Sequence, residues 1–168
     1  MNLEYKIRDA ALTDLPKIVD IYNSTIPGRM VTADTEPVTV NDRKEWFLRH
    51  TPRYRPLWVI ENNDRICAWV SFEPFYGRPA YNKTAELSIY VHEDFRGKGL
   101  GKFIMSEVLK VCPELDITTL LGFVFGHNEP SLRLFYHFGF EKWAMLPKIA
   151  ELDGVERDLV IVGKRVTN

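Results

Sequence analysis

Cysteine is scarce in this chain, and its scarcity excludes two roles. Cys67 and Cys112 are the only two among 168 residues. Neither sits at metal-ligand spacing, and a lone pair does not build a disulfide framework. A reducing, cytoplasmic setting is the expectation. The four histidines, His50, His92, His127 and His137, lack the local spacing of a metal site, so no metal is expected. No G-x-S-x-G or comparable nucleophile motif occurs, which argues against a hydrolase. No apolar run approaches the ~20 residues that cross a bilayer, and Met1 to Arg8 are polar and mixed in charge, so neither export nor membrane attachment is expected. Neither charge is in excess. Lys and Arg number 22 against 23 Asp and Glu, a formal net charge of −1. That balance argues against nucleic acid as a partner and leaves small molecules. No repeat, low-complexity stretch or Pro/Ser-rich linker divides the chain. With 45% hydrophobic residues it can bury one substantial core, so residues 1–168 are expected to form a single domain.

What the chain does have is a glycine-rich turn between a strand and a helix. Ala85 to Val91 alternate apolar and polar residues, and Arg96-Gly97-Lys98-Gly99-Leu100-Gly101 follow closely. Glycines let backbone approach a ligand. A helix starting there leaves its first amides unpaired, with the positive end of its dipole facing the turn. Such a turn suits a phosphate or pyrophosphate. The spacing narrows the choice. A dinucleotide fold wants G-x-G-x-x-G, but Lys102 stands where the third glycine would fall. The triphosphate loop G-x-x-x-x-G-K-[ST] fails as well, because Gly97 is one residue too close to Gly101-Lys102 and Phe103 has no hydroxyl for magnesium. The R-x-x-G-x-G of Arg96, Gly99 and Gly101 resembles the signature of the GCN5-related N-acetyltransferases, in which the turn amides hold the pyrophosphate of acetyl-coenzyme A.

A second signature stands downstream. Asn128-Glu129-Pro130-Ser131 opens a helix through Leu132, Leu134, Phe135 and Phe138, closed by Gly139-Phe140. Asn128 is a good N-cap, Pro130 is tolerated in a first turn, and Gly139 is a typical stop. The segment is similar to that superfamily's other coenzyme element, N-x-x-S before a helix and G-F. The run from Thr84 to Gly101 resembles more narrowly the phosphinothricin and methionine-sulfoximine acetyltransferase branch, and the similarity extends from about Ile7 to Val162. The resemblance implies an α/β (α+β) fold with a single mixed, mostly antiparallel twisted sheet flanked by helices. It also implies acetyl-coenzyme A as co-substrate, a small amine as acceptor, and a homodimer.

The remaining pattern agrees with that fold. Tyr5 to Asp9 reads as a strand. Thr13 or Asp14 then caps a helix with Leu15, Ile18, Val19 and Tyr22 on one face. A loop from Ile26 to Val38 leads to a helix from about Val40 to His50. Leu57 to Ile60 and Ile66 to Phe72 form a hairpin over Asn62-Asn63-Asp64. The helix from Gly99 to about Val111 is expected to bury Leu100, Phe103, Ile104, Val108 and Val111, and Thr118 to Phe125 reads as a buried strand. Asp153-Gly154 joins two strand-like stretches, Trp143 to Leu152 and Arg157 to Gly163.

Chemistry must come from side chains beside the coenzyme. Alternation puts Ala85, Leu87, Ile89 and Val91 on one face of their strand and Glu86, Ser88 and Tyr90 on the other. An ammonium has no lone pair with which to attack a thioester, so a carboxylate near the acceptor can serve as general base. Glu86 is the candidate; the bland alternative is a solvated strand glutamate. The resemblance points to the same position, since the branch carries its proposed base in the segment matched by Thr84-Ala85-Glu86. The backbone near Ile89, Tyr90 and Val91 is expected to supply oxyanion donors, and the resemblance has this segment pair with the pantetheine arm. The coenzyme residues are expected to be Arg96, Gly97, Lys98, Gly99, Leu100, Gly101 and Lys102 at the pyrophosphate, with Asn128 and Ser131 near the pantetheine and His137 lining the channel or standing at the surface or core edge. Many members of the superfamily place a tyrosine, and this branch often a histidine, seven residues after the motif asparagine to protonate the thiolate. Here that position is Phe135, and Tyr136 is turned about 100° away.

For the acceptor, the resemblance implicates Thr35 and Glu36 of the T-E-P loop and the stretch before the base strand, with Arg78, Pro79, Ala80 and Tyr81 as candidates; an ordinary polar loop is the alternative. Arg78 could pair a carboxylate bidentately. Where the branch commonly shows R-P-F, this chain reads Glu73-Pro74-Phe75. Direct transfer in a ternary complex is expected, because no nucleophile stands near the motifs. The alternatives are acetylation of a protein terminus or lysine, and a coenzyme-binding module without chemistry.

Overall fold

The computed structural model describes residues 4–167. Among them, seven strands form one sheet in the order β1-β2-β3-β4-β5-β7-β6. The strands are β1 (Lys6–Asp9), β2 (Leu57–Asn62), β3 (Arg65–Pro74), β4 (Thr84–Val91), β5 (Thr119–Phe125), β6 (Glu141–Leu152) and β7 (Val155–Arg165). Every neighbouring pair is antiparallel except β4 and β5, so the sheet is mixed and mostly antiparallel, as the sequence implies. Both tight hairpins use turn residues with positive φ: Asn63 and Asp64 at 50° and 61°, Asp153 and Gly154 at 53° and 79°. Those angles match the right-handed twist of the strands they join.

Two helices cover each face. α1 (Leu15–Ser24) and α2 (Val40–Leu48) lie on one side. The apolar stripe of α1, Leu15, Ile18, Val19, Ile21 and Tyr22, is buried with Trp46 of α2 against Leu57, Val59 and Trp69. α2 starts on a capping box: Asp42 N–H donates to Thr39 Oγ1 at 3.1 Å, and Thr39 N–H donates to Asp42 Oδ2 at 2.9 Å. On the other face α3 (Leu100–Val111) and α4 (Glu129–His137) close the larger core, where Ile104, Met105, Val108 and Phe135 join Val70, Phe72, Leu87 and Leu120. The stripe of α3 departs from the expected set. Met105 is fully buried, whereas Phe103 and Val111 sit on its flanks and stay half-exposed, Phe103 leaning on Tyr5.

Arg55 fastens the base of the sheet. It is 1% exposed, and its guanidinium donates to the carbonyls of Tyr54 (2.7 Å), Leu115 (3.3 Å) and Asn82. Those three carbonyls belong to three connections, before β2, before β5 and before β4. One side chain therefore fixes where β4 and β5 begin.

Candidate active site

The parallel pair β4–β5 is short. Thr84, Ala85 and Glu86 pair with Thr119, Leu120 and Leu121, and there the ladder stops. Beyond it β4 stays paired to β3 as far as Val91 and β5 stays paired to β7 as far as Phe125, so the two strands part as a wedge. A cleft of about 420 Å³ occupies the wedge. Leu87 to Val91 form one wall, and Phe123 and Val124 the other. Glu86 is the last residue of β4 to pair with β5; half-buried at the vertex, it stands next to Leu87 of the cleft wall without lining the cleft itself.

Backbone direction in β4 follows from its bonds to β3. Thr84 C=O accepts from Phe75 N–H, and His92 N–H donates to Cys67 C=O. Even-numbered residues therefore point their backbone groups at β3, and Leu87, Ile89 and Val91 point theirs away from it, toward β5 and the cleft. The expected donors are thereby narrowed: Ile89 and Val91 offer N–H groups to the cleft, whereas Tyr90 directs its own into the sheet. The Tyr90 ring stacks on Trp69 at 4.5 Å and 17° on the α1 side, and burial pushes its phenol above the ordinary range.

The wide end of the wedge is the glycine turn. Gly97 and Gly99 adopt φ of 73° and 79°, and Gly99 caps α3 with no side chain of its own. The amides of the first turn, Leu100 to Lys102, consequently have no helical acceptor. Arg96 folds back, its Nε donating to Val91 C=O at 3.3 Å, which fixes the turn against the strand. Gly101 permits a close helix contact, since a Cβ there would lie 3.1 Å from Leu134 Cδ2 of α4. Arg96, Gly97, Gly99, Leu100 and Gly101 all line the cleft. The Lys98 and Lys102 side chains do not: both are exposed, Lys98 over the Phe95 ring.

α4 forms the cleft's far side through Asn128, Pro130, Ser131, Leu134 and Phe135. Buried Asn128 works in two directions. Its Oδ1 accepts Ser131 N–H at 3.3 Å, and its Nδ2 donates to Met30 C=O at 3.1 Å. That second bond draws in the loop between α1 and α2, whose Thr25, Met30 and Val31 also line the cleft; no feature of the sequence had marked them. For His137 the surface alternative holds. It follows Phe135 by two residues, a rotation of about 200°, and so lies exposed against Phe138, outside the cleft.

Polar chemistry concentrates on the other face of β3 and β4. The cross-strand pairs are Trp69 with Tyr90, Ser71 with Ser88, and Glu73 with Glu86. Burial, reinforced by the charge of Glu73, pushes the Glu86 carboxyl up to about 7. Trp46 Nε1 donates to Glu73 Oε1 at 3.2 Å. His50 Nδ1 lies 2.9 Å from Trp46 C=O and Nε2 lies 2.8 Å from Ser71 Oγ. A carbonyl only accepts, so Nδ1 carries the hydrogen and Ser71 donates to Nε2. Burial lowers the His50 pKa, which keeps the ring neutral. Trp46, His50 and Ser71 were not singled out from the sequence, although the strand register that seats Glu86 also seats Ser71 and Glu73.

The acceptor candidates of the loops lie apart. Thr35 and Glu36 are exposed, Thr35 giving its carbonyl to Arg29 Nη1 at 3.0 Å. Arg78, Pro79, Ala80 and Tyr81 are exposed on the β3–β4 connection, where Tyr81 packs on Phe75 at 5.5 Å. None of the six lines the cleft.

Comparison with known proteins agrees with this geometry. The Bacillus subtilis (strain 168) protein YwnH, a candidate phosphinothricin acetyltransferase, is 56% identical over 96% of this chain and 99% of its own. The crystal structure of a candidate phosphinothricin N-acetyltransferase superposes with a TM-score of 0.95 at 54% identity, covering 98% of this chain and 100% of that one. A phosphinothricin acetyltransferase from Sinorhizobium meliloti, solved with acetyl-coenzyme A, gives 0.89 at 25% identity, covering 96% and 88%. The family model described as Acetyltransferase (GNAT) family matches residues 16–140. With its wedge, its glycine turn and these relatives, the chain belongs to the acetyltransferase (GNAT) family, in its phosphinothricin-type branch.

Proposed function

We propose that this chain is an N-acetyltransferase that moves the acetyl group of acetyl-coenzyme A to the amine of a small, amino-acid-like acceptor by direct transfer in a ternary complex. The observation that carries the reading is the position of Glu86, half-buried at the vertex of a wedge whose wide end is a turn of unpaired amides. Those amides, from Leu100 to Lys102, suit a pyrophosphate. The free backbone edge of β4 suits the amide groups of a pantetheine arm, as an added strand would. An arm lying along that edge from the turn carries its thioester toward the vertex.

There the Ile89 N–H is the nearest free donor for the thioester oxygen as it gains charge. Glu86, ionised above about pH 7, takes the proton from the acceptor's ammonium. The amine nitrogen forms a bond to the acyl carbon, the carbon–sulfur bond breaks, and the thiolate leaves. Phe135 has no proton to give it. Coenzyme thiolate is a good leaving group, and the second proton that the acylated nitrogen sheds reaches it through water.

The chain works as a single domain and as a homodimer. β6 is a sheet edge carrying exposed Trp143, Met145, Leu146 and Ile149, and such a strip is covered by a partner more often than left to water. The setting is cytoplasmic, consistent with buried, free Cys67 and Cys112. The test is thiol release from acetyl-coenzyme A with amino acids, phosphinothricin, methionine sulfoximine, polyamines and short peptides, alongside calorimetry of coenzyme binding. Glu86→Gln is expected to keep coenzyme affinity and lose at least a hundredfold in turnover. Full turnover by that variant overturns the base assignment. Turnover of peptides alone overturns the acceptor class.

A further inference from the structure

Glu73 has no part in the reaction just described, yet it faces the same spot. It stands directly across from Glu86 in the β3–β4 ladder, at a separation that puts opposing Cβ atoms about 5 Å apart. Its carboxylate is held there by the Trp46 indole. Trp46 is itself fixed edge-on between Trp69 at 5.4 Å and His50 at 4.8 Å. The groups around Glu73 are thus an indole N–H, a neutral imidazole, the Ser71 hydroxyl and a second carboxylate. None of the nearby cations pairs with Glu73: Arg43 bonds Asp34 at 3.0 Å while its guanidinium lies 5.8 Å from the Trp46 ring, and Arg49 and Arg78 are exposed without an ion pair among the described residues.

We infer that Glu73 sets the charge of the acceptor: the site takes amino-acid-like amines whose side chain is neutral or cationic and discriminates against an anionic one. The inference rests on Glu86 being the base, because an amine placed at Glu86 brings its substituents within several ångströms of Glu73. Two like charges about 6 Å apart at an effective dielectric near 20 repel enough to lower kcat/KM by a factor on the order of ten to a hundred. Among phosphinothricin-like acceptors, the methylphosphinate would meet that repulsion and the sulfoximine group would not. Glu73 is a specificity residue: it touches the acceptor's substituent, and neither makes nor breaks a bond.

Methionine sulfoximine and phosphinothricin have the same backbone and nearly the same side-chain shape and differ in side-chain charge, so the ratio of their kcat/KM values isolates this effect. It is measured at pH 8.5 for the wild type and for Glu73→Gln, with coenzyme affinity by calorimetry as the check on folding. Gln keeps an oxygen for the Trp46 N–H. The wild type is expected to favour methionine sulfoximine at least tenfold, and the substitution to shrink that ratio about tenfold. Any common effect on Glu86 cancels in the ratio. An unchanged ratio in a variant that still binds the coenzyme, or a wild type that prefers phosphinothricin, overturns the inference alone. Failure of the wild type with every amino-acid acceptor overturns it together with the proposed reaction.

Discussion

Replacing Glu86 by glutamine should make the protein less active and more stable, and the two effects test the same carboxylate independently. In the fold its pKa is pushed from 4.5 up to about 7, by burial first and by the charge of Glu73 second. At 1.36 kcal/mol per tenfold change in proton affinity, that corresponds to about 3 kcal/mol, trimmed to about 2 kcal/mol because the side chain keeps some contact with water. The sign follows from linkage. Between pH 4.5 and 7 the native state holds more protons than the unfolded chain, so stability falls as pH rises through that window and stays low above it. Glutamine has the same shape and never ionises. Glu86→Gln should therefore match the wild type in stability near pH 4.5 and exceed it by about 2 kcal/mol at pH 8. For a chain of this size that raises Tm by roughly 4–8 °C. Thermal melts of both proteins across pH 4.5–8.5 read this directly. A stability difference that does not change with pH would refute the claim that Glu86 is ionised against its surroundings.

Other consequences can be checked on the same material. With Glu86 as base, kcat/KM at saturating acetyl-coenzyme A should rise about tenfold per pH unit below about 7 and level off above it, as initial rates in a non-nucleophilic buffer would show. Gly99→Ala places a Cβ at φ of 79° with nothing within 4 Å to strike. It should cost about 1 kcal/mol of backbone strain and weaken coenzyme binding about fivefold by calorimetry. Arg55→Ala abandons three carbonyls it now serves and should lower stability by roughly 3–5 kcal/mol in urea denaturation.

The sequence made the wedge's ends legible and left its middle obscure. Both signature segments take the local geometry expected of them because each depends on local backbone chemistry: glycines at positive φ before α3, and an asparagine that caps α4. Strand alternation likewise placed Glu86 on the correct face. Partners in the third dimension were harder. Glu73 was visible as a departure from the branch pattern, but only the register of β3 on β4 sets it across from Glu86. Trp46 reaches it from α2, and His50, two residues past the end of that helix, holds Ser71 beside it; a loop and strand β2 separate them in sequence from β3. Met30 and Val31 enter the cleft because Asn128 spends a hydrogen bond on Met30 C=O, a contact across 98 residues that no local rule reveals. In the β3–β4 loop that holds Arg78 and Tyr81, Phe75, Tyr76 and Tyr81 pack on one another, an arrangement that no local rule announces.

Phe135 and the wedge explain each other. Gly122 follows Leu121, the last residue of β5 to pair with β4. A Cβ on Gly122 would stand 2.7 Å from Phe135 Cζ and 3.0 Å from Val162, so the ring presses onto bare backbone just past the vertex, braced by Phe140 at 4.9 Å. The ring is thus a prop between α4 and β5 at the point where the strands part. The ring is counted in the core and also faces the cleft, and as phenylalanine it offers the cleft no hydroxyl. The position where relatives of the superfamily carry a proton donor is here given over to packing, and the free backbone edge of β4 depends on that packing. Acid catalysis is the dispensable half of this arrangement, since a thiolate leaves unaided and an amine does not attack while protonated. In the proposed reaction the carboxylate at the vertex is the half the chemistry requires.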